Sequence, residues 1–460
     1  MQIYNQLKRR KEEFKPIKPG QVKLYACGPT VYSYFHIGNA RAFVTFDVLR
    51  RYLEFRGYKV DYVQNITDID DKIIAQSIDE GIPFSEIAAK YSRAFVEDST
   101  ALGIKTPTHQ PKATDVIEDI IAAIAAQIEK GYAYEAQGDV YFDTSALPEY
   151  GTLSGKKVED QMAGARVEEN LRKRNPADFT LWKASKPGEP VWPSPWGEGR
   201  PGWHTECVVM SRKYLGETFD IHGGGIDLIF PHHENELAQA LALSGKPLAN
   251  YWMHNGFLNI DGEKMSKSLK NFFTARDILK EYSAEAIRFF FLSKHYRSPI
   301  DFSREIIEES ERAVANFYSA LKCVDYKGIT AIPDDSCNQH KEAFIQAMDD
   351  DLNTAKALAV LFELAHQAKN TQLPQPQREQ AALLLVQLGQ VLGFFQDLAS
   401  KLCDSLPNLS RQLIELLVHY RDQARANKDW ALSDRIRDDL AALGIELKDT
   451  PEGCAWNLKE

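Results

Sequence analysis

Asp220-Ile-His-Gly-Gly-Gly-Ile-Asp-Leu-Ile-Phe-Pro-His-His-Glu-Asn-Glu236 is the stretch from which the rest of the chain can be read. Residues 219–222 predict a buried strand, the three glycines a turn, and Pro231 the opening of a helix, because proline is favoured at a first helical position. Phosphates, sugars and metals are commonly met at such turns. His232 and Glu236, four residues apart, share one helical face, so an imidazole and a carboxylate there can hold one ion. Cys27 and Cys207 each sit beside a predicted strand-to-helix or loop-to-helix transition and are the candidates to complete a tetrahedral Cys/Cys/His/Glu set, which suits zinc best. Taken alone, the His-His-Glu-Asn-Glu run reads equally as a solvated acidic face.

Its company changes that reading. His36-Ile37-Gly38-Asn39 follows Cys27 by nine residues, and Lys264-Met265-Ser266-Lys267-Ser268 lies beyond the metal helix. That order, with Gly225, Asp227 and His232 spaced as Gly-x-Asp-x-x-x-x-His, resembles the class I aminoacyl-tRNA synthetases. The Cys27-Gly-Pro-Thr-Val-Tyr32 lead and the Pro231-His-His-Glu-Asn-Glu236 helix resemble the cysteinyl-tRNA synthetase family in particular, and the likeness runs from about residue 2 to the C-terminus. Asn39 departs from the commonest form of the first signature, which has a second histidine there; an amide can donate to a phosphate oxygen but carries no charge.

Length and composition set the outer bounds. At 460 residues the chain is expected to form about three domains. A hydrophobic fraction of 44% and a charged fraction of 26% are ordinary for a globular protein. The net charge of −10 offers no general invitation to nucleic acid, so any RNA must be met by local basic patches. The first twenty residues carry no apolar core of a signal sequence, and no apolar run is long enough to span a bilayer, which makes a cytoplasmic protein with no membrane partner the expectation. Six cysteines, at 27, 207, 323, 337, 403 and 454, lack the short spacings of a disulfide framework. The last four of them read as small structural residues.

The pattern of elements is α/β. Residues 22–26 predict a central strand, a helix follows from Gly38 to Gly57, and residues 58–66 predict the next strand. This places Cys27, His36 and Asn39 at the carboxyl edge of a parallel sheet, where such folds bind ligands. Residues 84–102 and 114–130 read as amphipathic helices and 132–144 as a hairpin around Gly138-Asp139. Arg172, Lys173 and Arg174 read as an RNA contact or as a solvated charge run. A strand is expected over 251–260, and helices over 284–293, 303–325 and 340–369, with a linker at 371–376 and a small sheet at 445–458. With the family likeness added, the expected architecture is a Rossmann-like parallel-sheet nucleotide-binding catalytic domain (1–110 and 200–268) interrupted by a connective insertion (111–199). A stem-contact region (269–310), an α-helical bundle for tRNA (311–400) and a small mixed α/β C-terminal domain for the anticodon (401–460) follow.

The resemblance implies a ligase that joins cysteine to ATP as an adenylate, releases pyrophosphate, and passes the acyl group to a terminal ribose hydroxyl of tRNA(Cys). It implies one zinc ion per chain on Cys27, Cys207, His232 and Glu236, with magnesium arriving on ATP. His36, Asn39, Lys264 and Lys267 are the candidates for holding phosphates, with Gly38 beside them. Gly223, Gly224 and Gly225 would let adenine or ribose approach the backbone, and Asp227 would accept from ribose hydroxyls. Gly28, Thr67 and Trp203 are expected around the amino acid; Trp203 reads equally as a core aromatic. A monomer is expected. Two other readings stand beside this one: a related ligase passing activated cysteine to a small amine, which needs no helical extension, and a non-catalytic zinc protein that binds RNA, which needs neither His36 nor the Lys264–Ser268 loop.

Overall fold

The structure is a computed structural model that describes residues 1–155, 172–260, 263–264, 273–326, 335–398, 402, 408–450 and 453–458. Four strands, β1 (Gln21–Ala26), β2 (Lys59–Gln64), β3 (Phe219–Gly225) and β4 (Ala249–Asn255), form a parallel sheet in the order β4-β3-β1-β2. Helix α1 (Ile37–Phe55) crosses from β1 to β2 and buries thirteen residues, among them Val44, Phe46, Val48 and Leu49. The strand order reverses between β1 and β3, and ligands bind such sheets at that switch, beyond the carboxyl ends of the strands. Cys27 follows β1 there directly.

Between β2 and β3 lies the expected insertion. It contains an antiparallel sheet of Ala133–Ala136, Asp139–Phe142, Phe179–Ala184 and Gly199–Pro201, in sequence order. Arg172 pairs with Asp139 at 2.9 Å and the Arg174 guanidinium lies 4.0 Å from the Tyr134 ring, so both touch the insertion's own surface. Helix α2 (Trp203–Leu215) then returns the chain to the parallel sheet, and α3 (Glu234–Ser244) follows β3.

Five sequence expectations are corrected. The glycines 223–225 do not make a turn: they continue β3, paired with Met253, His254 and Asn255 of β4. The regular helix opens at Glu234 rather than Pro231, after a 3-10 turn over Ile226–Leu228 and a wider turn over Ile229–His233. The strand expected over 251–260 is two strands, β4 and β5 (Leu258–Ile260), and β5 pairs antiparallel with β6 (Glu263–Lys264) and parallel with β7 (Ile300–Phe302). In the helical half, the helix expected over 340–369 is broken into Asp335–Asp349 and Thr354–Lys369. Asp351, fully buried with φ of 60°, accepts there from the backbone of Tyr4 and from Tyr296 and Arg297, so distant partners outweigh local helix propensity. The expected linker at 371–376 is a tight turn, with Pro374 placed just before the helix Gln375–Val391.

Helix α4 (Ala284–Leu292) joins these layers through a buried ion pair. Arg288 donates to Asp47 of α1 at 2.6 Å and to the carbonyl of Leu392 at 3.0 Å, and Arg51 donates to the same carboxylate at 2.8 Å. Burial would raise the Asp47 carboxyl, but the two guanidiniums hold it below its ordinary value. Its contribution is therefore present above the unfolded carboxylate pKa and lost as pH falls through the lower folded value. Arg288→Met leaves Leu392 and half of Asp47 unpaired, and is expected to destabilise the chain by about 3–5 kcal/mol, read as a lowered urea midpoint at neutral pH.

Contacts divide the chain into Met1–Gln396 and Asp397–Glu460. The smaller unit packs helices Asn408–Ala426 and Trp430–Ala442 on the hairpin Ile445–Thr450 and Gly453–Leu458, around Ile414, Val418, Leu440 and Ile445, with Trp456 against them. No described helix is long and apolar enough to cross a membrane.

Candidate active site and metal centre

Cys27, at the end of β1, meets α2 and α3 beneath the switch point. One donor atom from each of Cys27, Cys207, His232 and Glu236 lies within 4.8 Å of all the others. Cys207, His232 and Glu236 are at most 1% exposed, and Cys27 is 9% exposed where it reaches the cleft above. His232 Nε2 stands 2.9 Å from Glu236 Oε1, the contact that four-residue spacing anticipates. A second set, Cys27, His222, His233 and Glu236, meets the same criterion and shares two members with the first.

Four further histidines, none of them among the expected ligands, surround these donors. His222 reaches Glu236 Oε2 at 2.7 Å, His233 reaches the Cys27 sulfur at 3.2 Å and His254 at 2.8 Å, and His204 reaches His232 at 3.0 Å. His222 and His254 occupy strand positions 0% and 6% exposed, which in sequence look like any other residue of β3 and β4. Two tryptophans lie flat against this layer: Trp203 on His232 at 4.2 Å and Trp252 on His222 at 4.4 Å.

The electrostatics favour a bound cation. Burial would push the Glu236 carboxyl up, but His222 and His232 hold it well below the carboxylate range. Burial would likewise lower His232, yet Glu236 and Cys207 raise it to about 10. Hydrogen bonding from Cys27 pulls the Cys207 thiol down to about 6, while burial and the neighbouring Cys207 push Cys27 up. Cys207 and Glu236 are thus the two anions that a soft divalent ion would pair with, displacing the protons that Cys27 and His232 keep.

Above the donors lies a cleft of about 340 Å³. Gly28, His36, Gly38, Asn39, Trp203, Gly225 and Asp227 all line it, with Cys27 on its floor. His36 and Asn39 cap α1 reciprocally: the His36 ring accepts from the Asn39 backbone at 3.2 Å, and the Asn39 side chain accepts from the His36 backbone at 3.4 Å. The capped N-terminus of this nineteen-residue helix faces the cleft, where its dipole favours an anion, while the Ile37 and Asn39 amides donate to the Phe273 carbonyl and to His36. Gly28 is required by close approach, since a Cβ there would stand 1.7 Å from the Asn65 carbonyl oxygen.

Other expected residues are placed differently. Gly223 and Gly224 do not line the cleft: a Cβ on the first would strike the Phe46 ring and on the second the His233 ring, so both serve packing. Thr67 is buried and donates to Glu206, the neighbour of Cys207, at 3.1 Å; it belongs to a chain of hydrogen bonds through Asn65 to Gly28 rather than to the cleft wall. Lys264 ends β6, and Lys267 lies outside the described residues. Lys72, which the sequence reading passed over, lines the cleft with its amine 5.3 Å from the Tyr32 ring; its place just past the carboxyl end of β2 is the signal that could have found it.

A parallel sheet with a helix N-terminus and a cleft at its switch point defines a Rossmann-like nucleotide-binding fold. Residues 13–312 match the family model of the tRNA synthetases class I (C) catalytic domain, and residues 343–396 match the DALR domain. The chain is 50% identical to the cysteine–tRNA ligase of Clostridioides difficile (strain 630), over 99% of both chains. Its fold is shared with the methionyl-tRNA synthetase of Mycobacterium tuberculosis in complex with methionyl-adenylate, at a TM-score of 0.58 and 16% identity, over 86% of this chain and 94% of that one. It is shared also with the LeuRS of Agrobacterium radiobacter K84 in its ternary complex with tRNA, at 0.59 and 11%, over 83% and 85%. The chain belongs to the cysteine–tRNA ligases.

Proposed function

We propose that the cleft holds ATP and cysteine side by side, with the cysteine thiol directed at zinc on Cys27, Cys207, His232 and Glu236, and that the adenylate formed there is passed to the 3′-terminal ribose of tRNA(Cys). The observation that carries this reading is the convergence of those four donors under the floor of the cleft, with Cys27 reaching it. The donors fit zinc: two thiols select a soft ion, and the incoming thiol would add to the four buried donors or displace the weakest, Glu236. This set is favoured over the one with His222 and His233 because it brings two thiols where the other brings one, and its Cys207 thiol is held down to about 6. Zinc bound there supplies a site that prefers a thiolate to a hydroxyl and lowers the thiol pKa.

The chain's own groups do the remaining work by position. Activation is attack of the cysteine carboxylate on the α-phosphorus, so little general base is needed and alignment dominates. His36, Asn39 and the positive end of the α1 dipole hold the phosphates. Asp227 accepts from the ribose, with Gly225 leaving space beside it. Lys264 and Lys267 close over the triphosphate as a clamp, with magnesium carried by ATP. Trp203 walls the amino-acid pocket against water.

Serine is nearly isosteric with cysteine, and shape alone separates pairs differing by so little by at most roughly 200-fold. Cysteine-dependent ATP–pyrophosphate exchange is expected to exceed serine-dependent exchange by more than that. Equal exchange with the two amino acids would remove selection at the metal.

A further inference from the structure

Arg41 is 1% exposed and sits one turn into α1, five residues beyond His36. Among the described residues no carboxylate pairs with it. Its two terminal nitrogens donate instead to five backbone carbonyls: Gly256 and Phe257 at 2.8 Å each from one, and His295 at 3.4 Å, Tyr296 at 3.2 Å and Ser298 at 2.6 Å from the other. Burial pulls the guanidinium down to about 10, so it remains charged at neutral pH. A buried cation held only by carbonyl dipoles is costly to place, and it is retained where the geometry it fixes is needed.

The five carbonyls belong to two segments that share one job. Residues 255–258 line the cleft opposite Asn39 and lead directly into β5 and β6, the hairpin that ends at Lys264. Residues 295–298 run between α4 and β7, the strand that pairs with β5. The segments approach so closely that a Cβ on Gly256 would stand 2.6 Å from the carbonyl oxygens of Arg297 and Ser298. Gly256 N–H donates to Tyr296 and Ile300 N–H to Phe257, at 2.8 and 3.0 Å. Among the described residues, the Arg41 fork is the side chain of α1 that donates to both segments.

We propose that Arg41 is a positioning residue for adenylate formation, clamping the wall at 255–258 and the hairpin beyond it at a fixed distance from the phosphate-binding end of α1. The proposal rests on the nucleotide reading of the cleft. Its logic is that both signatures act on one triphosphate, and their spacing must hold to a fraction of an ångström. An arginine suits this because its planar fork presents donors in fixed directions to two chains at once, which a lysine cannot do.

The test uses the full-length protein with Arg41→Lys and Arg41→Met, each measured by pyrophosphate exchange and by amide hydrogen exchange. A misplacement of about 1 Å costs roughly 100-fold. Arg41→Met is therefore expected to lower kcat/KM for ATP by about that factor while KM for cysteine changes less than about twofold, and Arg41→Lys is expected to fall between it and the parent. In both, the amides of Gly256 and Ile300 should lose protection while those of β1 and β3 keep theirs. Parent-like ATP kinetics in the Lys and Met variants, or cysteine and ATP constants that worsen together, would overturn the proposal. If Arg41→Met does not fold, the Lys variant decides by the same split. A parent protein without cysteine-dependent exchange would sink the nucleotide reading and leave the protection of Gly256 and Ile300 to decide the clamp.

Discussion

Cys207→Ser is expected to lose zinc and cysteine recognition together, with kcat/KM for cysteine falling by more than about 100-fold, since even outer partners of a metal ligand cost 10–100-fold. The substitution changes one atom at a site 1% exposed, so packing is nearly preserved. It replaces a thiol held down to about 6 by a hydroxyl that does not ionise in this range and is a poor ligand for a soft ion. The variant also separates the two donor sets. Cys207 belongs only to the set with His232, so an ion seated instead among Cys27, His222, His233 and Glu236 would survive the change. Metal content measured on the purified variant, beside pyrophosphate exchange, reads both quantities; full zinc occupancy with ordinary cysteine activation would show that the ligand is wrongly assigned. KM for ATP is expected to move little, because the phosphate end of the cleft is built by α1.

His36→Asn is expected to reduce adenylate formation by about 100–1,000-fold, the usual cost of removing one preorganised donor to a developing charge. The choice of asparagine matters. His36 caps α1, and an alanine there would lose the cap, worth about 0.5–2 kcal/mol, along with the imidazole. Asparagine is a favoured cap, so it keeps the helix start while removing the ring from the cleft. Thermal unfolding should therefore be unchanged, and cysteine should still bind to the zinc-loaded protein. Retained adenylate formation would reduce His36 to a structural cap and pass the phosphate role to Asn39 and the backbone.

The sites and the fold were legible to different degrees for identifiable reasons. The strand–helix–strand opening was readable because β1 and β2 are short and begin with polar and buried apolar residues in alternation, and α1 carries its buried residues at helical spacing. The four converging donors were legible because His232 and Glu236 stand four residues apart and Cys27 and Cys207 each adjoin an element boundary, a reading that the family likeness reinforced. The histidine layer was not, since His204, His222 and His254 sit on three separate elements and no spacing relates them. Gly223 and Gly224 misled in the opposite way. A triple glycine suggests a turn or a ligand, whereas here it admits the Phe46 and His233 rings against a strand. The helix break at residues 350–353 was equally invisible, because its cause is Asp351 answering Tyr4, Tyr296 and Arg297.

What the sequence determined by itself was the kind of chemistry: residue types with soft-metal and phosphate affinity, carried on local elements whose periodicity and capping are written in neighbouring residues. What only the tertiary structure decided was which groups meet. Cys27 stands 180 residues from Cys207, and Arg41 more than 200 from the carbonyls it grips. Such distances are closed by the pairing of β1 with β3 and by the packing of α1 on the sheet. Those contacts depend on the chain as a whole, so no local pattern encodes them.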